Sequence, residues 1–256
     1  MPHRLARGLM GLLLIAAFSQ PTLAADIKVL TAGAMRGVLA ELLPRFETDT
    51  GHKVSLDNAT AGMLAQRIEA GEAFDVAVIT PKVIDGLIGK GKIAPGSRVD
   101  VAKVGIGVAV KAGAPLPDIA TVEAFRRTLL AARSVAYIDP KAGGSSGIYF
   151  DGLLNRLGIA GEVRPKARLK QGGYVADLVA SGEAEVAVHQ ISEIVPVKGV
   201  TLVGPLPPDL QKVTVYSAGL AARSAAPETA RAFIAFLSRP AFKGKFAAAG
   251  LDYRQP

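Results

Sequence analysis

Three short stretches hold the residue types that could act on a small molecule. Gly143-Gly144-Ser145-Ser146-Gly147 fits the G-x-S-x-G pattern that sets a serine nucleophile between a strand and a helix, and Asp177 and His189 follow in serine, acid, histidine order. A nucleophile elbow sits directly on a strand end. This loop is long and glycine-rich after Tyr137-Ile138-Asp139, and no His-Gly-Gly-Gly stretch precedes it as an oxyanion hole. Serine hydrolysis through Ser145 is therefore the alternative reading. His189 near a strand end is expected to make one ordinary hydrogen bond.

The second stretch, Ile27-Lys28-Val29-Leu30-Thr31-Ala32-Gly33-Ala34-Met35-Arg36-Gly37, reads as a strand turning through small residues into a helix. Such a turn leaves the first helical N–H groups unpaired and aimed at one point, which favours an anion there. Arg36 opens the helix, and a guanidinium matches a carboxylate with two parallel hydrogen bonds, although an arginine in a first turn can equally point to solvent. Ser145 and Ser146 precede another helix and could serve an anion or cap that helix. The third stretch, Gln190, Ser192 and Glu193, follows an apolar strand and is expected to reach the same cleft, with a salt bridge or surface position as the default for Glu193.

Other chemistries are poorly supplied. The chain has no cysteine, which excludes disulfides and thiolate chemistry. Beyond the leader His52 and His189 are the histidines, far apart and without metal-site spacing, so no metal is expected. Gly105-x-Gly107 lacks the third glycine and the helix of a dinucleotide fingerprint, so no cofactor is expected either. There is no tryptophan, and 5 Tyr and 9 Phe in 256 residues provide few stacking platforms. The basic residues are spread out, which argues for a small anionic partner and against nucleic acid.

The elements that must position these residues start after a leader. Arg4, Arg7, the apolar run Leu9 to Phe18 and Thr22-Leu23-Ala24 make a cleavable secretion signal, with cleavage after Ala24 or Ala25. The remainder carries 28 Lys+Arg against 22 Asp+Glu, a net charge of +6. It has no apolar run of about 18 residues, the length a membrane span requires. A soluble periplasmic protein is expected. Strands are expected at 26–31, 53–57, 75–79, 103–111, 134–138, 185–189, 200–203 and 213–221. Helices are expected near 35–50, 61–70, 82–90, 121–132, 147–157, 173–181, 227–238 and 240–249. Pro44 should kink or interrupt the first helix, Gly71 should stop the second, and Thr121 should cap the fourth. The alternation implies an α/β fold of two lobes, each a mostly parallel sheet flanked by helices. Two long strands, 103–111 and 213–221, would carry the chain between lobes, giving lobe I as 25–106 plus 217–256 and lobe II as the inserted 107–216.

Several pieces carry a family resemblance in order and spacing: Ala32-Gly33-Ala34-Met35; Asn58 to Gly71; Phe74-Asp75-Val76-Ala77-Val78; Asp139-Pro140 with Ser146-Gly147-Ile148-Tyr149; and Gly182 to Ala187. Across almost the whole mature chain the sequence resembles the periplasmic solute-binding proteins of ABC transporters with the type II fold, and among them the molybdate-binding family. That resemblance implies a monomeric receptor that closes by hinge motion and serves an inner-membrane permease. It implies a tetrahedral oxyanion held by two serine hydroxyls, backbone N–H groups and a tyrosine. The first serine falls on Ala34, the second on Ala61 beside Thr60, and the tyrosine on or beside Gln190. What the resemblance leaves is backbone, at Ala34, Met35, Ala61, Gly62, Ser146 and Gly147. Each lost hydrogen bond to a charged ligand costs about 1.5–3 kcal/mol, so two lost hydroxyls weaken molybdate by roughly two to four powers of ten. The expected ligand is a small organic carboxylate, with an inorganic oxyanion second. Ligand contacts are expected from Gly33, Ala34, Met35, Arg36, Thr60, Ala61, Gly62, Ser145, Ser146, Gly147, Gln190 and Ser192. A receptor that presents its cleft to a membrane sensor would share the same fold.

Overall fold

The computed structural model describes residues 24–253. The expected leader, apart from Ala24, lies outside the described residues. Eleven strands are present among them: β1 Asp26–Ala32, β2 Lys53–Ala59, β3 Val76–Ile79, β4 Val99–Val104, β5 Ile106–Lys111, β6 Val135–Ile138, β7 Ala167–Lys170, β8 Val186–Gln190, β9 Val200–Pro205, β10 Thr214–Leu220 and β11 Asp252–Tyr253. The helices are α1 Gly33–Thr50, α2 Ala61–Glu69, α3 Pro81–Gly89, α4 Val122–Ala131, α5 Ser145–Arg156, α6 Ala160–Val163, α7 Asp177–Ala180, α8 Ile191–Ile194, α9 Pro227–Leu237 and α10 Lys243–Ala248.

The strands form two sheets. The first runs β11-β4-β10-β3-β1-β2 and the second β7-β6-β8-β5-β9. Parallel pairing joins β1 to β2 and β3, and β6 to β7 and β8. The remaining pairs are antiparallel, and each includes β5, β10 or β11. The sheets are thus mixed where mostly parallel ones are expected from the strand–helix alternation. The departure comes from strands that enter a sheet from the other lobe or at the chain's end instead of through a helical crossover. β10, inserted between β3 and β4, belongs wholly to the first sheet.

The long apolar run 103–111 is not one strand. It breaks at Gly105, with β4 in the first sheet and β5 in the second. The chain returns across residues 206–213. Gln211 ties the two crossings together, accepting from the Ile106 N–H at 2.8 Å and donating to the Ile106 carbonyl at 2.9 Å. A Cβ at position 105 would press against the Gln211 amide at 3.1 Å, so glycine there lets the two crossings lie side by side.

Each lobe has its own core. Around the first sheet, Val38, Leu39, Leu42 and Phe46 on one stripe of α1 pack against strands and against Phe233 and Phe236 of α9. The second sheet carries apolar clusters that include Phe125, Tyr137 and Phe150, and Ala136, Val175 and Val179. The expected interruption at Pro44 does not occur, and α1 runs unbroken through it. Proline lacks the N–H that would reach the Ala40 carbonyl, but both residues lie on the exposed face, where water can satisfy that carbonyl. Gly71 follows the end of α2 with φ of 101°, and the Thr121 hydroxyl accepts from the Ala124 N–H at 3.1 Å, both as expected.

Candidate functional site

Three helices begin at the same place between the lobes. α1 starts directly from β1 with Ala32 as its N-cap and no side chain capping it. α5 starts after Gly144, also without a side-chain cap. α2 is capped by Thr60, whose hydroxyl oxygen accepts from the Met63 N–H at 3.2 Å. Gly33, Ala34, Ala61, Ser145 and Ser146, all from these first turns, line one small cavity of about 30 Å³. Free N–H groups at helix starts carry partial positive charge, so the uncapped starts of α1 and α5, with Ala61 of α2, make an anion site where they meet.

The lobes touch across this cavity. The Gly62 N–H donates to the Gly143 carbonyl at 3.2 Å, and the Thr60 hydroxyl donates to the Ala142 carbonyl. A Cβ on Gly62 would stand 2.7 Å from the Gly143 Cα, and Gly143 itself has φ of 73°. Only glycine at both positions allows this approach.

Hydroxyls in the cavity wall are already engaged with the protein. Ser145 Oγ lies 3.3 Å from the Tyr216 hydroxyl and accepts from Gln190 Nε2 at 3.1 Å. Gln190 also donates to Thr214 at 3.2 Å, while its Oε1 has no partner among the described residues. Burial, and after it the nearby Glu193, leave the Tyr216 hydroxyl harder to deprotonate than an ordinary phenol, against the opposing effect of its hydrogen bonds to Ser145 and Gln190. Ser146 Oγ lies 3.0 Å from His189 Nδ1, and His189 Nε2 lies 3.3 Å from Glu193 Oε1, too poorly aligned for a hydrogen bond. Both His189 and Glu193 are buried and line the cavity.

The triad order Ser145, Asp177, His189 is not assembled. Ser145 contacts Tyr216 and Gln190, His189 takes Ser146 instead, and Asp177 pairs with Lys170 at 3.3 Å. The residues expected at the site divide. Gly33, Ala34, Thr60, Ala61, Ser145 and Ser146 line the cavity, and Gln190 supports it through Ser145. Met35 is buried in the first core, Gly147 packs under β6, Ser192 is buried with a hydroxyl that has no partner among the described residues, and Gly62 makes the interlobe contact. Arg36 is exposed on the first turn of α1 and is not in the cavity lining; it lies near Tyr174, whose hydroxyl burial makes less acidic and Arg36 makes more so. Among the described residues no three His, Cys, Asp or Glu side chains gather as a metal site.

Tyr216, His189 and the Gly172-Gly173 bend line the cavity without being among the expected contacts, and Glu193, expected to reach the cleft, lines it as well. A tyrosine in the strand 213–221, and a glutamate four residues after His189, are the signals that sequence offered.

The model of the bacterial extracellular solute-binding protein family matches residues 27–252. The chain belongs to that family. This solute-binding protein is 36% identical over 239 residues to the aconitate isomerase of a Pseudomonas species, spanning 90% of this chain and 89% of that protein. Among solved structures, the periplasmic molybdate-binding protein of Azotobacter vinelandii superposes with a TM-score of 0.73 at 22% identity, over 90% of this chain and 99% of that one. The sulfate-binding protein of Mycobacterium tuberculosis superposes with a TM-score of 0.71 at 16% identity, over 91% of this chain and 88% of that one. At such identities the likeness is one of fold: the two-lobed type II architecture. No described helix is long and apolar enough to cross a membrane.

Proposed function

We propose that this exported solute-binding protein captures a small organic polycarboxylate of the aconitate class in its interlobe cleft and presents it to an ABC permease. The observation that carries this reading is the floor of the cleft. Three helix N-termini converge there, while alanine stands at positions 34 and 61 and the remaining hydroxyls are committed to protein partners. The molybdate-binding likeness adds two hydroxyl donors to such N–H groups, and alanine stands at both positions here. A polycarboxylate offers flat two-oxygen groups, each of which suits one helix start. Its binding parts the lobes slightly, since the closed cavity admits little more than one such group. The proposed contacts are backbone N–H groups of α1, α2 and α5, with Ser145 and Ser146 holding the wall through their protein partners. Arg36, outside the cavity lining, meets only an acid long enough to leave the cavity. The isomerase named among the relatives acts on an acid of this chemistry.

A second reading, favoured by that relative, is that the protein interconverts such acids instead of, or as well as, delivering them. Thermal unfolding of residues 25–256 tests the ligand class for both readings. A ligand at about 100 times its Kd stabilises the folded state by about 2.7 kcal/mol. Tricarballylate and trans-aconitate are expected to raise Tm by several degrees, and molybdate, tungstate and sulfate to leave it in place. The reverse pattern contradicts the proposal.

A further inference from the structure

Ser146, His189 and Glu193 form a buried row along one wall of the cavity, with successive separations of 3.0 and 3.3 Å. The His189 and Glu193 side chains are 2% and 8% exposed. Among the described residues no group donates a hydrogen bond to Glu193, and its contact is the histidine ring. A Cβ on residue 33 would collide with Glu193 Oε1. Glycine at the first position of α1 therefore lets a carboxylate from the second lobe stand at the helix start of the first. For capture alone this is a poor arrangement. A carboxylate in a small, water-poor space repels an anionic ligand, and the helix N-termini already supply attraction without it. A base held against a bound acid is what proton transfer requires.

We infer that Glu193, packed beside the His189 ring that Ser146 bonds from its other side, is a general base that moves a proton within a bound unsaturated polycarboxylate. This rests on the ligand class proposed above. Glu193 takes a proton from a methylene flanked by a carboxylate and a carbon–carbon double bond. The C–H bond breaks, its electron pair becomes the new double bond to the central carbon, and the former double-bond pair moves to the far carbon, conjugated with its carboxylate. Glu193 returns the proton to that carbon. One hydrogen and one double bond have shifted along three carbons, with no oxidant, reductant or second reactant. Negative charge that develops on the far carboxylate faces the helix N-termini, where it is stabilised. When Ser146 donates to His189 Nδ1, the ring proton sits on Nε2 and faces Glu193, so Ser146 and His189 are positioning residues for the base.

The test pairs proton NMR in D2O with calorimetry on residues 25–256 and trans-aconitate. The wild-type protein is expected to bind the acid, exchange its methylene hydrogens for deuterium and form the cis isomer. Glu193→Gln is expected to bind within a few-fold of wild type or more tightly, and to lose at least about 100-fold in exchange rate. Glu193→Asp, which keeps a carboxylate at shorter reach, should retain part of the rate and guards against misfolding of the first variant. Ser146→Ala should lower kcat about tenfold at constant KM, and Ser146→Thr, which restores the hydroxyl, should recover it. Binding by the wild type without exchange overturns the inference and leaves the ligand class standing. Exchange that persists in Glu193→Gln overturns it as well. Absence of binding overturns both.

Discussion

Ser145 and Ser146 are neighbours in the chain and serve different networks. Ser145 joins the two lobes' polar groups, contacting Tyr216 from β10 and Gln190 from β8, whereas Ser146 turns inward to His189. Ser145→Ala should leave the Gln190 amide and the Tyr216 hydroxyl short of a partner and weaken ligand binding about tenfold, a loss of about 1.5 kcal/mol readable by calorimetry. Unchanged affinity would mean that Ser145 only caps structure. Away from the cleft, Arg67 binds both Asp57 and Glu72, and Lys28 adds a second contact to Glu72 at 2.8 Å. The Arg67 hydrogen bonds, with help from Lys28, hold the Glu72 carboxyl down at about 2, and Arg67 also lowers Asp57. Their stabilising effect is complete above the ordinary carboxylate range and is lost as pH falls toward 2. Denaturant midpoints should therefore decline between about pH 4.5 and 2, and Arg67→Met should flatten that decline at a cost of about 1 kcal/mol at neutral pH. At this scale sequence showed Gly33 and Ala34 as small residues between a strand and a helix, and the family resemblance pointed to Thr60 and Ala61. It did not show Tyr216, which reaches the cavity through the pairing of β10 with β3 and β4, 71 residues removed from Ser145 in the chain.

Elements with their own period were legible, and elements imposed by tertiary contact were not. The stripe Val38, Leu39, Leu42 and Phe46 identifies α1, and β1, β3 and β8 stand out as apolar runs. β7, at Ala167–Lys170, carries mostly half-buried and exposed residues and is a strand because it pairs with β6. The single turn α8 is too short for any periodic signal, yet it holds Glu193. The expected helix 173–181 shrinks to α7 because Gly172 and Gly173 bend into the cavity wall. Two substitutions test what holds α1. Phe46 packs edge-on against Phe233 and Phe236 with centroids 5.1 and 5.2 Å away, and Phe46→Ala should cost about 3–5 kcal/mol in urea unfolding. Pro44→Ala should raise stability by about 1–3 kcal/mol, since it restores a helical N–H on an exposed face. A neutral result would show that Pro44 restrains the unfolded chain by as much as it weakens the helix.

The whole molecule works as two cores joined at Gly105 and across 206–213, with Gln211 clasping both crossings. Motion between the lobes is resisted by that clasp, by the glycine and hydrogen-bond contacts at the cleft, and by Ile191 of α8 packing against the first core. The two-lobed plan followed from strand–helix alternation and the two long apolar strands, but the crossing points did not, because only sheet pairing decides where a strand changes lobe. Gly62→Val should prevent closure while sparing each lobe's core. Its Tm should stay within a few degrees of wild type, and ligand affinity should fall at least tenfold. Full affinity in that variant would mean the ligand is held by the open form.

The most direct measurement is calorimetric titration of the refolded, ligand-free 25–256 protein with trans-aconitate, tricarballylate, molybdate and sulfate in turn. The expected result is saturable one-to-one binding of the tricarboxylates with no heat from molybdate or sulfate. Tight binding of molybdate or sulfate with no response to the tricarboxylates would contradict the assignment of the cleft to organic acids.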